Sequence, residues 1–444
     1  MHTLEQLRSG QLAGSTRLDL SCGLTEFPVE IFTLADSLEI LNLSGNALST
    51  LPNDLGRLHK LRVLFCSDNQ FTEVPAVLGQ CPHLSMIGFK ANQIRTLPAE
   101  ALTPALRWLI LTDNALTTLP DELGSCPLLQ KLMLAGNYLT ALPETLAACT
   151  NLELLRIADN ELAALPQWLL SMPRLSWLAY AGNPFCEAAE ATVLAQYPID
   201  TISWPSLTVE QQLGEGASGV IYRGQWQRPG GAAEPVALKL FKGAVTSDGL
   251  PHSEMAACSS AGAHPNLIAV HGKIGQHPAG QEGLVLELID PAFGNLAGPP
   301  SLASCTRDVY APGTSFSPTT ALRIAEGIAA AAQHLHSRGI LHGDLYAHNI
   351  LNTTDGTSLL GDFGAACFFG PDDATVAQAL QHLEVRAFGC LLEELLAHCT
   401  MPSNSAAFQL LSNLQQRCFH PTPTSRPLFT EIQEILANAR AAIA

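Results

Sequence analysis

Asp344, Asn349 and Asp362 stand close together in LHGDLYAHNILN and LLGDFGAA, with Asp362 lying 18 residues after Asp344. Three oxygen-bearing side chains at this spacing suit hard Mg²⁺ ions, which prefer oxygen ligands and bridge phosphates. Asn349 and Asp362 are the candidate metal ligands, and Asp344 can accept the proton of an attacking hydroxyl. Upstream, Gly214, Gly216 and Gly219 form a G-x-G-x-x-G turn inside LTVEQQLGEGASGVIYRGQW. With Ile221 continuing the apolar alternation after it, this turn reads as strand–turn–strand, whose glycines let backbone approach a nucleotide's phosphates. Lys239 ends the strand Val236-Ala237-Leu238-Lys239 and can neutralise phosphate charge. Glu254, in the helical stretch PHSEMAACSS, is the candidate anion that fixes the Lys239 ammonium.

Alone, each of these residues is unremarkable: glycine clusters mark plain hairpins, and a strand lysine or helix glutamate is usually solvated. Their order and spacing together specify phosphoryl transfer. The elements that position them follow from the same stretch. A glycine-turn hairpin and a lysine strand precede a helix, the strand Leu284–Ile289 connects two lobes, and the Ala-rich ALRIAEGIAAAAQHLHSRGI makes a helix beneath the catalytic loop.

Residues 207–440 resemble the eukaryotic-type protein kinases on these motifs. The resemblance implies ATP and Mg²⁺ as cofactors and a protein hydroxyl as substrate, most simply serine or threonine. It also implies nucleotide contacts at Leu213, Ile221, Ala237 and Leu351, with backbone from Glu287 to Ile289 on the adenine edge and Leu286 as gatekeeper. Several departures matter. His342-Gly343-Asp344 lacks the family's arginine, which engages a phosphorylated activation loop, so phosphorylation there has less reason to order the loop. Tyr346 replaces a usual lysine. No Ala-Pro-Glu follows Asp362-Phe363-Gly364, Glu384 stands for the helix-F aspartate, and Arg426 is left without its customary glutamate. Thr375 is the sole hydroxyl residue between Phe363 and Glu384. Two other readings stay open: a pseudokinase scaffold, and a small-molecule phosphotransferase of related fold, since His-Gly-Asp-Leu is also common in aminoglycoside and choline phosphotransferases.

The first half carries a different signal, L-x-x-L-x-L-x-x-N, from Leu38-Leu41-Leu43-Asn46 to Leu175-Leu178-Tyr180-Asn183. Its asparagines are spaced by 22 or 23 residues, a proline stands six residues after all but the last, and an earlier copy has Cys22 in the asparagine slot with Pro28. Eight copies result, and they resemble the 23-residue leucine-rich repeat. One strand per copy, inward leucines and stacked neighbours sharing a core make a solenoid. The prolines are expected to stop the strands and set the convex return path. The fold class expected is an α/β repeat solenoid followed by an α+β two-lobed kinase-like domain, with domains at 1–204 and 205–444. Residues 185–205 read as a helical cap and linker. Strand positions such as Ile40, Phe65, Trp108, Lys131, Arg156 and Trp177 are expected on an exposed concave face that binds a protein partner or regulates the kinase, the alternative being contact with a flanking segment of the same chain.

Composition narrows the classes further. A net charge of −17 with no basic stripe excludes the footprint of nucleic-acid or anionic-membrane binding. No run of about 18 apolar residues suggests a membrane span. Twelve cysteines without a C-x-x-C pair read as reduced, mostly buried thiols in a cytoplasmic protein. The Pro-, Ser- and Gly-rich 293–320 reads as an insertion that is functional or disordered.

Overall fold

The computed structural model describes residues 2–216, 218–242, 245–246, 248–370 and 373–443. The chain folds into two compact units. One is Met1–Met172 with Asn183–Phe185, and the other is Pro173–Gly182 with Cys186–Ala444. Sequence composition by itself suggests a division near Trp204.

In the first unit the helix α1 (Leu4–Arg8) opens with a reciprocal capping box between Thr3 and Gln6. Seven three-residue strands follow, one per repeat: β1 (Arg17–Asp19), β2 (Ile40–Asn42), β3 (Val63–Phe65), β4 (Met86–Gly88), β5 (Trp108–Ile110), β6 (Lys131–Met133) and β7 (Leu154–Arg156). They pair in parallel and in sequence order, so that Leu41, Leu64, Ile87, Leu109, Leu132 and Leu155 lie side by side, all buried.

The repeat asparagines join one turn to the next. Asn137 accepts the Leu116 N–H at 3.0 Å through Oδ1 and donates to the carbonyls of Leu111 and Leu134, each at 2.9 Å. Buried backbone groups that the short strands leave unpaired are satisfied in this way. Cys22 does not fill the asparagine slot: pairing of Leu18 with Leu41 puts Gly23 at the position of Asn46, and Cys22 is exposed one residue earlier.

Two expectations change. The prolines do not end the strands. Pro75, Pro98, Pro120, Pro143 and Pro166 each sit at the N-terminus of a convex 3₁₀ turn, where extended φ/ψ starts the turn and no N–H is required. Nor is the strand face uniformly exposed: Ile40, Phe65, Trp108 and Ile110 are half-buried, whereas Val63, Met86, Lys131, Met133, Leu154 and Arg156 are buried.

The second unit begins with the strand of the eighth repeat, β8 (Trp177–Ala179). The expected cap helix is α2 (Glu187–Gln196). The expected linker instead contains β9 (Thr201–Ser203), which pairs in parallel with β13 (Val270–Gly275). A six-stranded sheet in the order β10-β11-β12-β14-β13-β9 results, from β10 (Leu207–Glu215), β11 (Gly219–Gln227), β12 (Ala233–Phe241) and β14 (Gly283–Glu287). Helix α3 (Pro251–Ala261) precedes β13. Val236, Leu238, Leu240, Ile274 and Val285 alternate inward to form this lobe's core.

The helical part is built from α4 (Pro318–Ser337), α5 (Ala374–Ala397), α6 (Ala406–Cys418) and α7 (Phe429–Ala441). Ser317 caps α4 by accepting the Thr320 N–H, and Leu322, Ile324, Ala325, Ile328 and Leu335 form its buried face. The insertion at 293–320 is ordered against α5. Arg307 donates to Glu394 at 2.8 Å, Glu393 at 2.6 Å and the Cys390 carbonyl at 3.0 Å. Among the described residues no helix is long and apolar enough to cross a membrane.

Candidate active site

The lysine strand and the helix after it place the first charge pair. Register puts Lys239 opposite Ile221 on one side and Leu284 on the other, so a central strand holds its backbone. Its side chain reaches Glu254 on α3, and both are nearly withdrawn from water. Burial works against the Lys239 charge, but Glu254 and Asp362 outweigh it and hold the ammonium above its ordinary range. The structure thus brings the Lys239 and Glu254 side chains together.

Asp362 lies beside that pair. A Cβ built on Gly364 would stand 3.2 Å from Asp362 Oδ1 and 3.8 Å from Glu254 Oε2. Asp362 itself takes a left-handed φ of 54°, an unusual state for a non-glycine residue, and accepts the Gly364 N–H at 3.2 Å.

The catalytic loop supplies the rest. Asn349 Nδ2 donates to the Asp344 carboxylate at 2.8 Å and to its carbonyl at 2.9 Å, holding the two side chains together. His342 is fully buried and bonds the Gly361 carbonyl at 2.9 Å, joining this loop to the residue before Asp362. His348 is driven down by burial, but hydrogen bonding to Asp308 and the charges of Asp308, Asp344 and Asp362 raise it overall. Asp308 comes from the insertion, bonding His348 Nδ1 at 2.7 Å and its N–H at 3.0 Å.

The glycine turn is formed by β10 and β11. Gly216 N–H bonds the Gly219 carbonyl at 2.9 Å, and Lys242 reaches Glu215 and the Gly216 carbonyl. A Cβ on Gly219 would come within 2.5 Å of the Leu240 carbonyl, whereas Gly214 and Gly216 face open space. Those two positions thus leave room above the hairpin, and Gly219 is required by close strand approach.

The expected nucleotide-edge positions fall on several elements. Leu213 is exposed on β10, Ile221 is half-buried on β11, Ala237 is buried on β12, and Leu351 is half-buried on the strand Ile350–Asn352. Leu286 lies opposite Ala237, on β14. Glu287 departs from expectation in one respect: its N–H already bonds the Ala269 carbonyl at 2.9 Å. Ile289 follows, half-buried, just beyond β14.

The departures from the kinase pattern have structural partners. Glu384 on α5 accepts the Gly343 N–H at 2.7 Å and bonds His336 Nε2 at 2.7 Å. Arg426 donates to the carbonyls of His420, His382 and Pro173 at 3.0, 3.0 and 2.7 Å. Burial, with Arg386 nearby, lowers its pKa to about 10. Thr375 stands in the first turn of α5, with its N–H on the capping Asp373 at 3.1 Å.

Trp177 and Tyr180 are missed by the sequence reading, which assigns Trp177 to an exposed face and Tyr180 to the repeat core. Trp177 is buried against the catalytic loop, its ring stacked on Tyr346 at 4.1 Å and 6°, and its indole N–H bonds the Leu345 carbonyl at 3.1 Å. The one available signal was Tyr180 filling the slot that leucine or isoleucine fills in most copies.

Residues 207–388 match the family model "Protein tyrosine and serine/threonine kinase", and residues 37–58 match "Leucine Rich Repeat". The chain therefore joins leucine-rich repeats to a protein kinase domain. Similar proteins include the non-receptor tyrosine-protein kinase TNK1 of Homo sapiens, 25% identical over 279 residues, covering 51% of this chain and 39% of the relative. Mitogen-activated protein kinase kinase kinase 13-A of Xenopus laevis is 25% identical over 261 residues, 50% of this chain and 24% of the relative. Serine/threonine/tyrosine-protein kinase HT1 of Arabidopsis thaliana is 27% identical over 158 residues, 28% and 40% respectively. The matches thus span two fifths or less of the lengths of these relatives.

Proposed function

We propose that the chain is an ATP-dependent protein kinase acting on serine or threonine hydroxyls. The observation carrying this reading is the buried Lys239–Glu254 pair beside Asp362, with Asn349 hydrogen-bonded to Asp344.

The donor set fits the nucleotide and metal that a kinase domain implies. Asn349 and Asp362 offer hard oxygen atoms, which suit Mg²⁺, an ion that keeps waters and phosphate oxygens in its shell. Bound Mg-ATP supplies the phosphoryl group and spreads its charge. Lys239 orients phosphate oxygens, Glu254 fixes Lys239, and Asp344 aligns the acceptor hydroxyl and takes its proton. These effects are positional and electrostatic.

The half-buried strand positions near the N-terminus, among them Ile40, Phe65, Trp108 and Ile110, support a protein partner on the repeat face. Twelve thiols, most of them buried, support a reducing, cytoplasmic setting.

Radiolabelled-ATP transfer by the purified chain tests the central reading. Asp344→Asn should reduce transfer by about 10²–10⁴-fold, the usual range for a lost general base. Lys239→Met should also remove it while the fold, read by circular dichroism, persists. Phosphoamino-acid analysis decides the acceptor. Full activity in both variants would contradict the assigned roles. A folded wild type that shows no transfer points to a scaffold, and transfer only after a small hydroxyl compound is added points to a small-molecule enzyme.

A further inference from the structure

Residues 173–182 carry the repeat pattern, yet they belong to the compact unit that holds the kinase motifs. Three parts of that unit meet this stretch. At the catalytic loop, Trp177 stacks on Tyr346 and donates to the carbonyl of Leu345, the residue next to Asp344. At the strand Cys367–Phe368, which follows Asp362-Phe363-Gly364, Tyr180 OH donates to the Phe368 carbonyl at 3.1 Å and Tyr180 N–H meets Cys367 Sγ at 3.0 Å. At α5 and the segment before α7, Arg386 donates to the Arg174 carbonyl at 3.0 Å and Arg426 to that of Pro173 at 2.7 Å.

Gly343 belongs to the same arrangement. It has φ +73°, and a Cβ there would run into the Ala365 carbonyl and stand 2.7 Å from that of Leu178. The position where the kinase pattern places arginine is thus occupied by close backbone approach.

We infer that residues 173–182 are a built-in clamp on the catalytic loop, with Trp177 and Tyr180 as positioning residues that hold the Asp344 loop and the Cys367–Phe368 strand in register. This rests on the assignment of Asp344 proposed above. The contacts described are an aromatic stack, the Tyr180 hydroxyl and backbone carbonyls that accept from Arg386 and Arg426, so the clamp needs no phosphorylated hydroxyl to form. The loop is held whenever the segment is docked.

The test uses the full chain as wild type, Trp177→Ala, Trp177→Phe, Tyr180→Phe and Asp344→Asn. Readouts are kcat and KM for Mg-ATP with a general protein acceptor, and amide hydrogen exchange at 344–349 and 367–369. Trp177→Ala should lower kcat by about tenfold or more, as a misplaced catalytic group does, while KM for Mg-ATP stays within about twofold. Exchange should speed up at 344–349 but not in the centre of α4. Trp177→Phe keeps an aromatic stack and should recover most of kcat, a rescue that mere bulk loss would not show. Tyr180→Phe should speed exchange at 367–369, and phosphatase treatment of the wild type should leave its rate unchanged.

Wild-type kcat and exchange in a folded Trp177→Ala overturns the clamp, as does a wild type inactivated by phosphatase. Should Trp177→Ala fail to fold, Tyr180→Phe decides, and unchanged exchange at 367–369 with unchanged kcat overturns it. If instead Asp344→Asn retains full transfer, the active-site reading fails, and the exchange data still judge the clamp separately.

Discussion

Gly343 and Tyr346 separate this loop from the pattern it otherwise follows. Gly343 donates its N–H to buried Glu384, adopts a left-handed φ, and is bordered by two carbonyls where a side chain would stand. Restoring a side chain there should therefore harm the protein. Gly343→Ala is expected to cost at least ~1–3 kcal/mol from the backbone conformation alone, with steric overlap added. Urea denaturation measures this, and a variant as stable as the wild type would show that the loop has another accessible conformation. Arginine at 343 would meet the same obstruction. At this scale the candidates came from type and spacing, and the structure brings Lys239 onto Glu254 near Asp362 and Asn349 onto Asp344. The partners of Arg426, Glu384 and Asp308 were not readable, since each is set by backbone or side chains far away in sequence.

Among elements, the repeats show how a short motif can be legible while its surroundings are not. The period of 22 or 23 residues fixed the strands, the inward leucines and the asparagine positions. It could not separate a proline that ends a strand from one that starts a 3₁₀ turn, because both demand the same φ. Nor could it separate the eighth copy from the others, although that copy's aromatic residues face a different partner. The asparagine bridges allow a graded test. Asn137→Ala removes a buried acceptor and donor and orphans the Leu116 N–H, whereas the Leu111 and Leu134 carbonyls keep the amides of Asn114 and Asn160. A loss of about 1–3 kcal/mol is expected from the orphaned N–H. Asn46→Ala, at a half-buried and wetter position, should cost less. Equal losses at the two sites, measured by thermal or urea unfolding, would mean that the bridges do not act through burial.

For the whole chain, the practical question is where the kinase-containing unit begins. A boundary placed by composition near residue 205 leaves out β9, the edge strand of the six-stranded sheet, and the segment around Trp177. A fragment starting at Leu207 is thus expected to melt well below one starting at Pro173, and to expose the Tyr346 ring to collisional quenchers. Coincident melting curves for the two fragments would show that the extra residues contribute nothing to folding.

The distance along the chain between Trp177 and its acceptor has a consequence during synthesis. The indole and the Leu345 carbonyl are 168 residues apart. At about 5–20 residues per second, a ribosome needs on the order of ten to thirty seconds to travel between them. Throughout that interval a nascent chain displays a bulky aromatic whose counterpart does not yet exist, so the eighth copy must wait, and its completion coincides with the birth of the catalytic loop.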